Sequence, residues 1–208
     1  MSELVVTEFM TVDGVAQAPG GPEEDPHYGF AWGGWQAPFR DRGAGGLVFE
    51  QAKDMGALLL GRRTYDLFAE YWPKAPAEMD FTRLLNGVPK YVATRTLREP
   101  LGWEGSSVLA GDLAEGVAAL KERYGQVNVI GSLDLLQSLL AQGLVDRLNL
   151  WVYPVVLGSG KRVFEGGAVP SALRLTSSHV FPDGSVQLTY VRAGTPEVGV
   201  IGALDEEE

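Results

Sequence analysis

The chain has 208 residues, 45% of them hydrophobic, which suits one domain with a single core, and it contains no run of about 20 uncharged apolar residues that could cross a membrane. Its formal charge of −10 argues against a broad nucleic-acid-binding or anionic-membrane surface, because such surfaces concentrate Lys and Arg. The absence of cysteine excludes disulfides, thiolate nucleophiles and iron–sulfur clusters, and two isolated histidines predict no metal site, so redox chemistry would need a bound organic cofactor.

The N-terminal segment predicts a strand followed by a long ordered loop. Residues 4–12 are rich in Val, Thr and Phe with one Glu in the middle, which is typical of a mostly buried strand, and Asp13-Gly14 ends it. Residues 16–46 contain eight glycines and four prolines beside several aromatic residues. This composition breaks regular elements but is too aromatic for a disordered linker, so we expect an ordered loop that flanks a pocket.

The middle of the chain alternates short apolar runs with amphipathic segments. Strands are predicted at 57–60, 91–93 and 127–130, and helices at 48–55, 64–71, 113–124 and 133–140. Asp112 with Glu115 three residues later resembles a capping box, and Ser132 is placed to cap the helix that follows it. Such alternation is typical of an α/β fold with a largely parallel sheet.

The last part of the chain predicts antiparallel strands. Residues 148–153 alternate in character, and two further strand-like runs at 173–181 and 186–191 are joined by a Pro-Asp-Gly turn that favours a hairpin. Trp151 and Tyr153 fall on the nominal outer face of the first of these strands. We therefore predict a homodimer that shields these aromatic side chains from water.

We expect one domain over residues 1–193 and an acidic tail over 194–208. The tail ends in four acidic residues and has little apolar material to bury, which predicts disorder. No internal repeat or linker interrupts the domain. The N-terminus lacks a basic segment followed by an apolar run, so we expect a cytoplasmic protein.

Three turns that follow predicted strands are candidates for binding phosphate groups. Their residues are Gly61, Arg62, Arg63 and Thr64, then Thr94 and Arg95, then Gly131, Ser132 and Leu133. Glycine allows close approach of the backbone, a helix N-terminus offers free N–H groups, and arginine can bind phosphate oxygens bidentately. A solvent-exposed basic turn or the polar end of a strand would have the same local sequence without binding phosphate, so these interpretations remain open.

Aromatic residues and one carboxylate near these turns are further candidates. Trp35, Tyr65 and Trp72 could form a stacking wall for a flat heterocycle, although packing in the core would explain them equally well. Asp13 directly follows a buried strand and precedes Gly14. It could orient a substrate or relay a proton, or it could only stabilise the turn.

Six motifs stand in a distinctive order along the chain. They are Thr11-Val12-Asp13-Gly14, Leu60-Gly61-Arg62-Arg63-Thr64-Tyr65, Thr94-Arg95, Ile130-Gly131-Ser132, Gly143-Leu144-Val145-Asp146 and Pro154-Val155-Val156-Leu157-Gly158-Ser159-Gly160-Lys161. Together they resemble the dihydrofolate reductase superfamily, especially the C-terminal reductase domain of the bifunctional riboflavin-biosynthesis deaminase-reductase. The likeness covers residues 4–192 and implies a three-layer α/β fold with a mostly parallel central sheet and a C-terminal antiparallel hairpin.

The resemblance implies NADPH as the cofactor, bound across the carboxyl ends of the strands. Residues 61–64 would then hold the pyrophosphate, 94–95 the 2′-phosphate, and 131–133 would complete the diphosphate contact beside the nicotinamide. The resemblance places Asp13 at the reaction site as the catalytic residue. Together with the proposed aromatic wall, it predicts that the substrate is bound by Gly14, Trp35, Tyr65 and Trp72.

The implied activity is hydride transfer from NADPH to a polarised C=O or C=N bond, with the proton coming from water or Asp13. The expected substrate is a small heterocyclic or ribosylaminopyrimidine-type molecule, as in 5-amino-6-(5-phosphoribosylamino)uracil reduction. Ser132 stands where the family commonly has a second Gly, and Gly45 stands where folate reductases carry their pteridine-binding acid. Dihydrofolate reduction and a non-catalytic NADPH-binding module remain alternatives. A purely structural dimerisation protein is the lowest-ranked alternative.

Overall fold

The chain folds around one eight-stranded sheet. The structure, a computed structural model, describes residues 2–39 and 41–200. The strands are β1 (Glu3–Thr11), β2 (Ala57–Gly61), β3 (Lys90–Ala93), β4 (Ser106–Val108), β5 (Gln126–Ile130), β6 (Arg147–Tyr153), β7 (Leu173–Val180) and β8 (Val186–Arg192). Their order across the sheet is β4-β3-β2-β5-β1-β6-β8-β7. Pairing is parallel from β4 to β6, and β8 is antiparallel to both of its neighbours, so the predicted architecture is confirmed.

Helices connect the parallel strands. They are α1 (Arg42–Ala52), α2 (Arg62–Tyr71), α3 (Asp80–Gly87), α4 (Leu113–Tyr124) and α5 (Leu133–Ala141), with short 3-10 turns at His27–Gly29 and Trp72–Lys74. The predicted cap of α4 is confirmed, because Asp112 accepts a hydrogen bond from the Glu115 N–H at 2.9 Å. Gly125 ends α4 at a φ of +72°, a conformation that favours glycine.

Apolar side chains pack on both faces of the sheet and form three layers. On one face, α4 and α5 contribute Val117, Leu120 and Leu136 to a cluster with the inward residues of β1 and β5. On the other face, α1, α2 and α3 pack against β2 and β3 around Tyr65 and Leu85. The short apolar run of β2 is buried on both faces, as its composition predicts.

The structure differs from the sequence prediction in three elements. Helix α1 begins at Arg42 and not at residue 48, because Asp41 accepts a hydrogen bond from the Gly43 N–H at 2.7 Å and starts the helix within the glycine-rich segment. The end of the predicted loop is therefore helical. Helix α3 and the three-residue strand β4 were not predicted at all.

Trp151 and Tyr153 are not on an outer face. Trp151 is 0% exposed and Tyr153 is 4% exposed. Trp35 packs against Tyr153, and Phe181 stacks on Trp151 at 5.4 Å between ring centroids. The reason given for a homodimer is therefore wrong, because the long loop and the β7–β8 turn already cover both aromatics. The dimer itself stays a prediction.

The C-terminal segment is only partly described. Residues 195–200 form no helix or strand, and the acidic residues 205–208 lie outside the described part of the chain. The division into a domain over 1–193 and a disordered tail stays a prediction. None of the helices in the described part of the chain combines the length and the apolar character needed to span a membrane.

Candidate active site

A cleft of about 920 Å³ opens at the C-terminal ends of the parallel strands. Strands β2, β3 and β5 end there at Gly61, Ala93 and Ile130, and all three residues line the cleft. Since these strands are parallel, the turns that follow them converge on the same edge. The carboxyl edge of a parallel sheet is where open α/β proteins bind their ligands.

Every residue predicted to bind the cofactor lines this cleft. These residues are Gly61, Arg62, Arg63, Thr64, Thr94, Arg95, Gly131, Ser132 and Leu133. They come from three turns that are distant in sequence. The fold therefore brings the three candidate phosphate sites together in one cavity.

The turns after β2 and β5 are tied to each other. The Gly61 N–H donates to Ser132 Oγ at 3.0 Å. Gly131 and Ser132 both have positive φ values, +63° and +68°. The prediction that Ser132 caps α5 with its side chain is wrong, because its Oγ serves Gly61 and makes no cap bond.

Two helices point uncapped N-termini at the cleft. Neither α2 nor α5 has a side-chain cap bond at its N-cap residue, Gly61 or Ser132. The first-turn N–H groups of these helices therefore have no capping side chain among the described residues and are available to an anion, which the positive end of the helix dipole also favours. The third helix that starts here, α4, is capped by its own Asp112.

The three cleft arginines differ in how they are held. Arg62 donates to Thr96 Oγ1 at 2.8 Å and lies 3.5 Å from the carboxylate of Asp66. Arg63 lies 3.3 Å from Asp134 and 3.2 Å from His27 Nε2. The guanidinium of Arg95 has no hydrogen bond or ion pair with any residue that the structure describes, so it is the readiest to meet a new anion.

Residues 16–39, which belong to the loop predicted over 16–46, wall the cleft and are held by an ion pair. Lys161 Nζ lies 2.7 Å from Asp25 Oδ2, and the side chains of both residues are largely buried. Burial alone would raise the pKa of Asp25, but the hydrogen bond and charge of Lys161 outweigh it and lower that pKa. The Lys161 N–H also donates to Gln17 Oε1 at 3.0 Å, so two residues of the loop are held by the segment after β6.

Asp13 does not reach the cleft. Its carboxylate accepts hydrogen bonds from Thr11 Oγ1 and from the N–H groups of Leu157 (3.2 Å) and Gly158 (2.8 Å). The hydrogen bond from Thr11 is the largest cause of its lowered pKa. An ionised carboxylate outside the cleft is a poor proton donor, so the structure favours the turn-stabilising alternative for Asp13.

The residues predicted to contact the substrate do not line the cleft either. Gly14 sits in the turn beside Asp13, and Trp35 donates its Nε1–H to the Gln17 carbonyl at 2.8 Å within the loop. Tyr65 is buried against Trp103, and Trp72 packs among the aromatics of α2 and α3. The three predicted aromatic residues therefore pack in the core and do not form a stacking wall, which agrees with the alternative interpretation of the sequence.

Glu8, which was not among the predicted site residues, lines the cleft from the middle of β1. Glu8 is 2% exposed, and burial raises its pKa to about 8. Its position as a lone acid within an apolar strand was visible in the sequence. That signal identifies a functional residue only if both faces of the strand are known to be covered.

Comparison with known proteins gives a family match. The model of the RibD C-terminal domain family matches residues 2–187. The uncharacterized protein YyaP of Bacillus subtilis (strain 168) is 31% identical over 138 residues, which cover 64% of this chain and 72% of YyaP. The uncharacterized protein YwjB of the same organism is 26% identical over 160 residues, or 76% of this chain and 86% of YwjB.

Solved structures share the fold. A Shewanella sp. PV-4 protein whose name refers to riboflavin biosynthesis has a TM-score of 0.66 at 21% identity, over 92% of this chain and 99% of its own. The diaminohydroxyphosphoribosylaminopyrimidine deaminase/5-amino-6-(5-phosphoribosylamino)uracil reductase of Thermotoga maritima has a TM-score of 0.61 at 15% identity. That match covers 92% of this chain and 57% of the Thermotoga chain. These likenesses confirm the predicted dihydrofolate-reductase-like fold.

Proposed function

This chain belongs to the RibD C-terminal domain family, and we propose that it is a reductase that takes NADPH into the cleft at the carboxyl edge of its sheet. The observation that carries the proposal is the convergence of the three candidate phosphate-binding turns on one cavity. When bound, NADPH supplies a hydride to a polarised C=O or C=N bond. The protein's own residues hold and orient the reactants.

The chemistry of the cleft suits a dinucleotide that carries several phosphates. The uncapped N-termini of α2 and α5 offer backbone N–H groups to the pyrophosphate, and Arg62 and Arg63 flank them. Thr94 and Arg95 lie at the end of β3, where a 2′-phosphate would meet a free guanidinium. Each of the three turns therefore offers N–H groups or a guanidinium to one of the anionic groups of such a cofactor.

The remaining walls of the cleft suit a flat, polar heterocycle. Phe9 and Phe68 offer apolar surface, while Gln36 offers an amide group. Such a pairing of aromatic faces with a few polar groups is common in small-molecule sites. We propose a ribosylaminopyrimidine-type substrate, which the name of the Thermotoga relative supports.

A titration followed by a substrate screen tests the proposal. NADPH should bind and quench tryptophan fluorescence, and 5-amino-6-(5-phosphoribosylamino)uracil should oxidise the bound cofactor, seen as loss of its absorbance. Failure of NADPH to bind would refute the proposed cofactor. Arg62→Ala should weaken binding and Arg83→Ala, an exposed arginine outside the cleft, should not.

The same screen separates the alternatives. Turnover of dihydrofolate and not of the pyrimidine would assign dihydrofolate reduction. NADPH binding without turnover of pterins, pyrimidines or small carbonyl compounds would assign a nucleotide-binding module. A cytoplasmic location and a homodimer complete the proposal.

A further inference from the structure

Glu8 occupies a central position in the sheet. It lies in β1, whose neighbours are β5 and β6, and its register partner on β6 is Leu150. The preceding residue, Thr7, accepts a hydrogen bond from the Gly131 N–H at 3.1 Å. Glu8 therefore sits beside the turn that is proposed to approach the cofactor, and it lines the cleft.

The carboxyl group of Glu8 lacks an internal partner. Its Oε1 is fully buried and makes no hydrogen bond within the part of the chain that the structure describes. Leaving a buried polar atom unpaired costs free energy unless a ligand or water completes the bond. An unpaired carboxyl that lines a cavity is typical of a group that meets a ligand.

Among the described residues, no neighbouring charge stabilises an ionised Glu8. Charged residues face the cleft from the loop, α2, the β3–α4 region, α5 and the segment after β6, namely Glu24, Asp25, Arg62, Arg63, Arg95, Asp112, Asp134 and Lys161. None of their side chains bonds to Glu8, and burial alone accounts for its raised pKa of about 8. At neutral pH Glu8 therefore carries a proton that it can donate.

We propose that Glu8 is the proton donor of the reduction, an inference that rests on the proposed function. As the substrate carbon receives the hydride, the electron pair of its C=N or C=O bond moves to the nitrogen or oxygen. The O–H bond of Glu8 breaks, and its proton forms the new N–H or O–H bond. The overall reaction reduces the substrate with NADPH oxidised to NADP⁺, and the Glu8 carboxylate regains its proton from water.

Proton-linked binding tests the position of Glu8 without any substrate. The nicotinamide of NADP⁺ is positively charged and that of NADPH is neutral, so NADP⁺ should favour the ionised form of a nearby Glu8. We expect the wild type to release a proton on binding NADP⁺ near pH 7, measured calorimetrically in buffers of different ionisation enthalpy. NADP⁺ affinity should rise with pH by up to about tenfold per unit below the pKa of Glu8.

Matched variants identify the group that releases the proton. Glu8→Gln keeps the shape of the side chain but cannot ionise, so it should bind NADP⁺ without this proton release. Glu122→Gln makes the same change at an exposed site on α4 and should behave as the wild type. Equal proton release by Glu8→Gln and the wild type would overturn the inference.

Turnover gives the second readout. With 5-amino-6-(5-phosphoribosylamino)uracil or dihydrofolate as the probe, Glu8→Gln should slow hydride transfer by roughly a hundred- to ten-thousandfold. NADPH affinity should stay close to that of the wild type, and Glu8→Asp should restore part of the rate. An unchanged rate and pH profile in Glu8→Gln would overturn the donor role.

The two proposals fail in different ways. If neither dinucleotide binds, the proposed function is refuted and the donor role falls with it. If both bind but no proton release depends on Glu8, the proposed cofactor stands and only the inference about Glu8 is refuted.

Discussion

At Ser132, a backbone strain and a side-chain hydrogen bond act in opposite directions on stability. The positive φ of +68° costs a residue with a Cβ about 1 kcal/mol. The bond from the Gly61 N–H offsets that cost. A Gly at this position would avoid the strain but would lose the link between the two turns.

Two substitutions at Ser132 separate these effects. Ser132→Ala removes the hydrogen bond and keeps the strain, so it should lower the free energy of unfolding by about 1 kcal/mol. Ser132→Gly removes both the bond and the strain, and it should unfold close to the wild type. Chemical denaturation measures the difference, and equal losses in the two variants would show that strain at this residue is negligible.

Arg95 should decide the preference for NADPH over NADH. A charge-assisted bond to a 2′-phosphate is worth about 1.5–3 kcal/mol, so Arg95→Ala should weaken NADPH binding by roughly ten- to a hundredfold. NADH lacks that phosphate and should bind the variant as it binds the wild type. Fluorescence titration with both cofactors measures the two affinities.

The control for Arg95 is Arg63, which lies in the turn after β2 that is proposed to hold the pyrophosphate. Arg63→Ala should weaken both cofactors alike, because the pyrophosphate is common to them. Equal affinity of the wild type for NADPH and NADH would contradict the placement of the 2′-phosphate. An Arg95 variant that weakens both cofactors equally would contradict it as well.

Glu8 should also make stability depend on pH. Its pKa is about 8 in the folded chain against an ordinary value of 4.5, so the folded state binds this proton more tightly than the unfolded state. The stabilisation is complete below about pH 4.5 and is lost as the pH rises through about 8. Melting temperatures from about pH 5 to 8 should fall in the wild type and fall less in Glu8→Gln, and parallel profiles would show that Glu8 does not titrate in this range.

At the scale of elements, the sequence predicted those turns whose conformation depends only on residues a few positions apart. The strand–Gly–helix turns at 61–64 and 131–133 follow from sequence, because glycine and the helix start act within a few residues. Helix α1 was misplaced because its glycines oppose a helix, while the Asp41 cap and tertiary packing outweigh them. Local propensity alone does not report that packing.

The residues that contact the substrate could not be identified from local sequence alone. Trp35, Tyr65 and Trp72 pack against other aromatic side chains in the core, and only the folded structure shows which aromatic residues line a cavity. Lys161 reaches the cleft from a segment far along the chain, through its ion pair with Asp25. Contacts of such sequence separation leave no local pattern.

The loop over residues 16–39 should depend on that ion pair. Lys161→Met leaves the largely buried Asp25 carboxylate without its main partner, so the loop should open more often. Limited proteolysis should then cut the loop faster in the variant than in the wild type. Lys53→Met breaks an exposed pair with Glu50 and should leave the cleavage rate unchanged. Equal rates in all three proteins would refute the role of the Lys161–Asp25 ion pair in holding the loop.

On the scale of the whole molecule, the sheet extends past the helices that cover it. All eight residues of β7 are exposed, on both faces of the strand, and apolar side chains such as Leu175 and Val180 are among them. β7 is also one of the two edge strands of the sheet, and the described residues leave its outer backbone groups unpaired. Exposed edges with apolar side chains are places where a second chain can add to a sheet.

This edge gives the homodimer prediction a better basis than the buried Trp151 and Tyr153. Light scattering at about 20 µM should give twice the mass of the chain, because a stable functional dimer persists at such concentrations. Leu175→Glu places a charge on the exposed strand and should shift the protein to monomer, whereas Val198→Glu, at a residue 98% exposed in the C-terminal segment, should not. A wild type that is monomeric at this concentration would refute the dimer, and a dimer that survives Leu175→Glu would place the interface elsewhere.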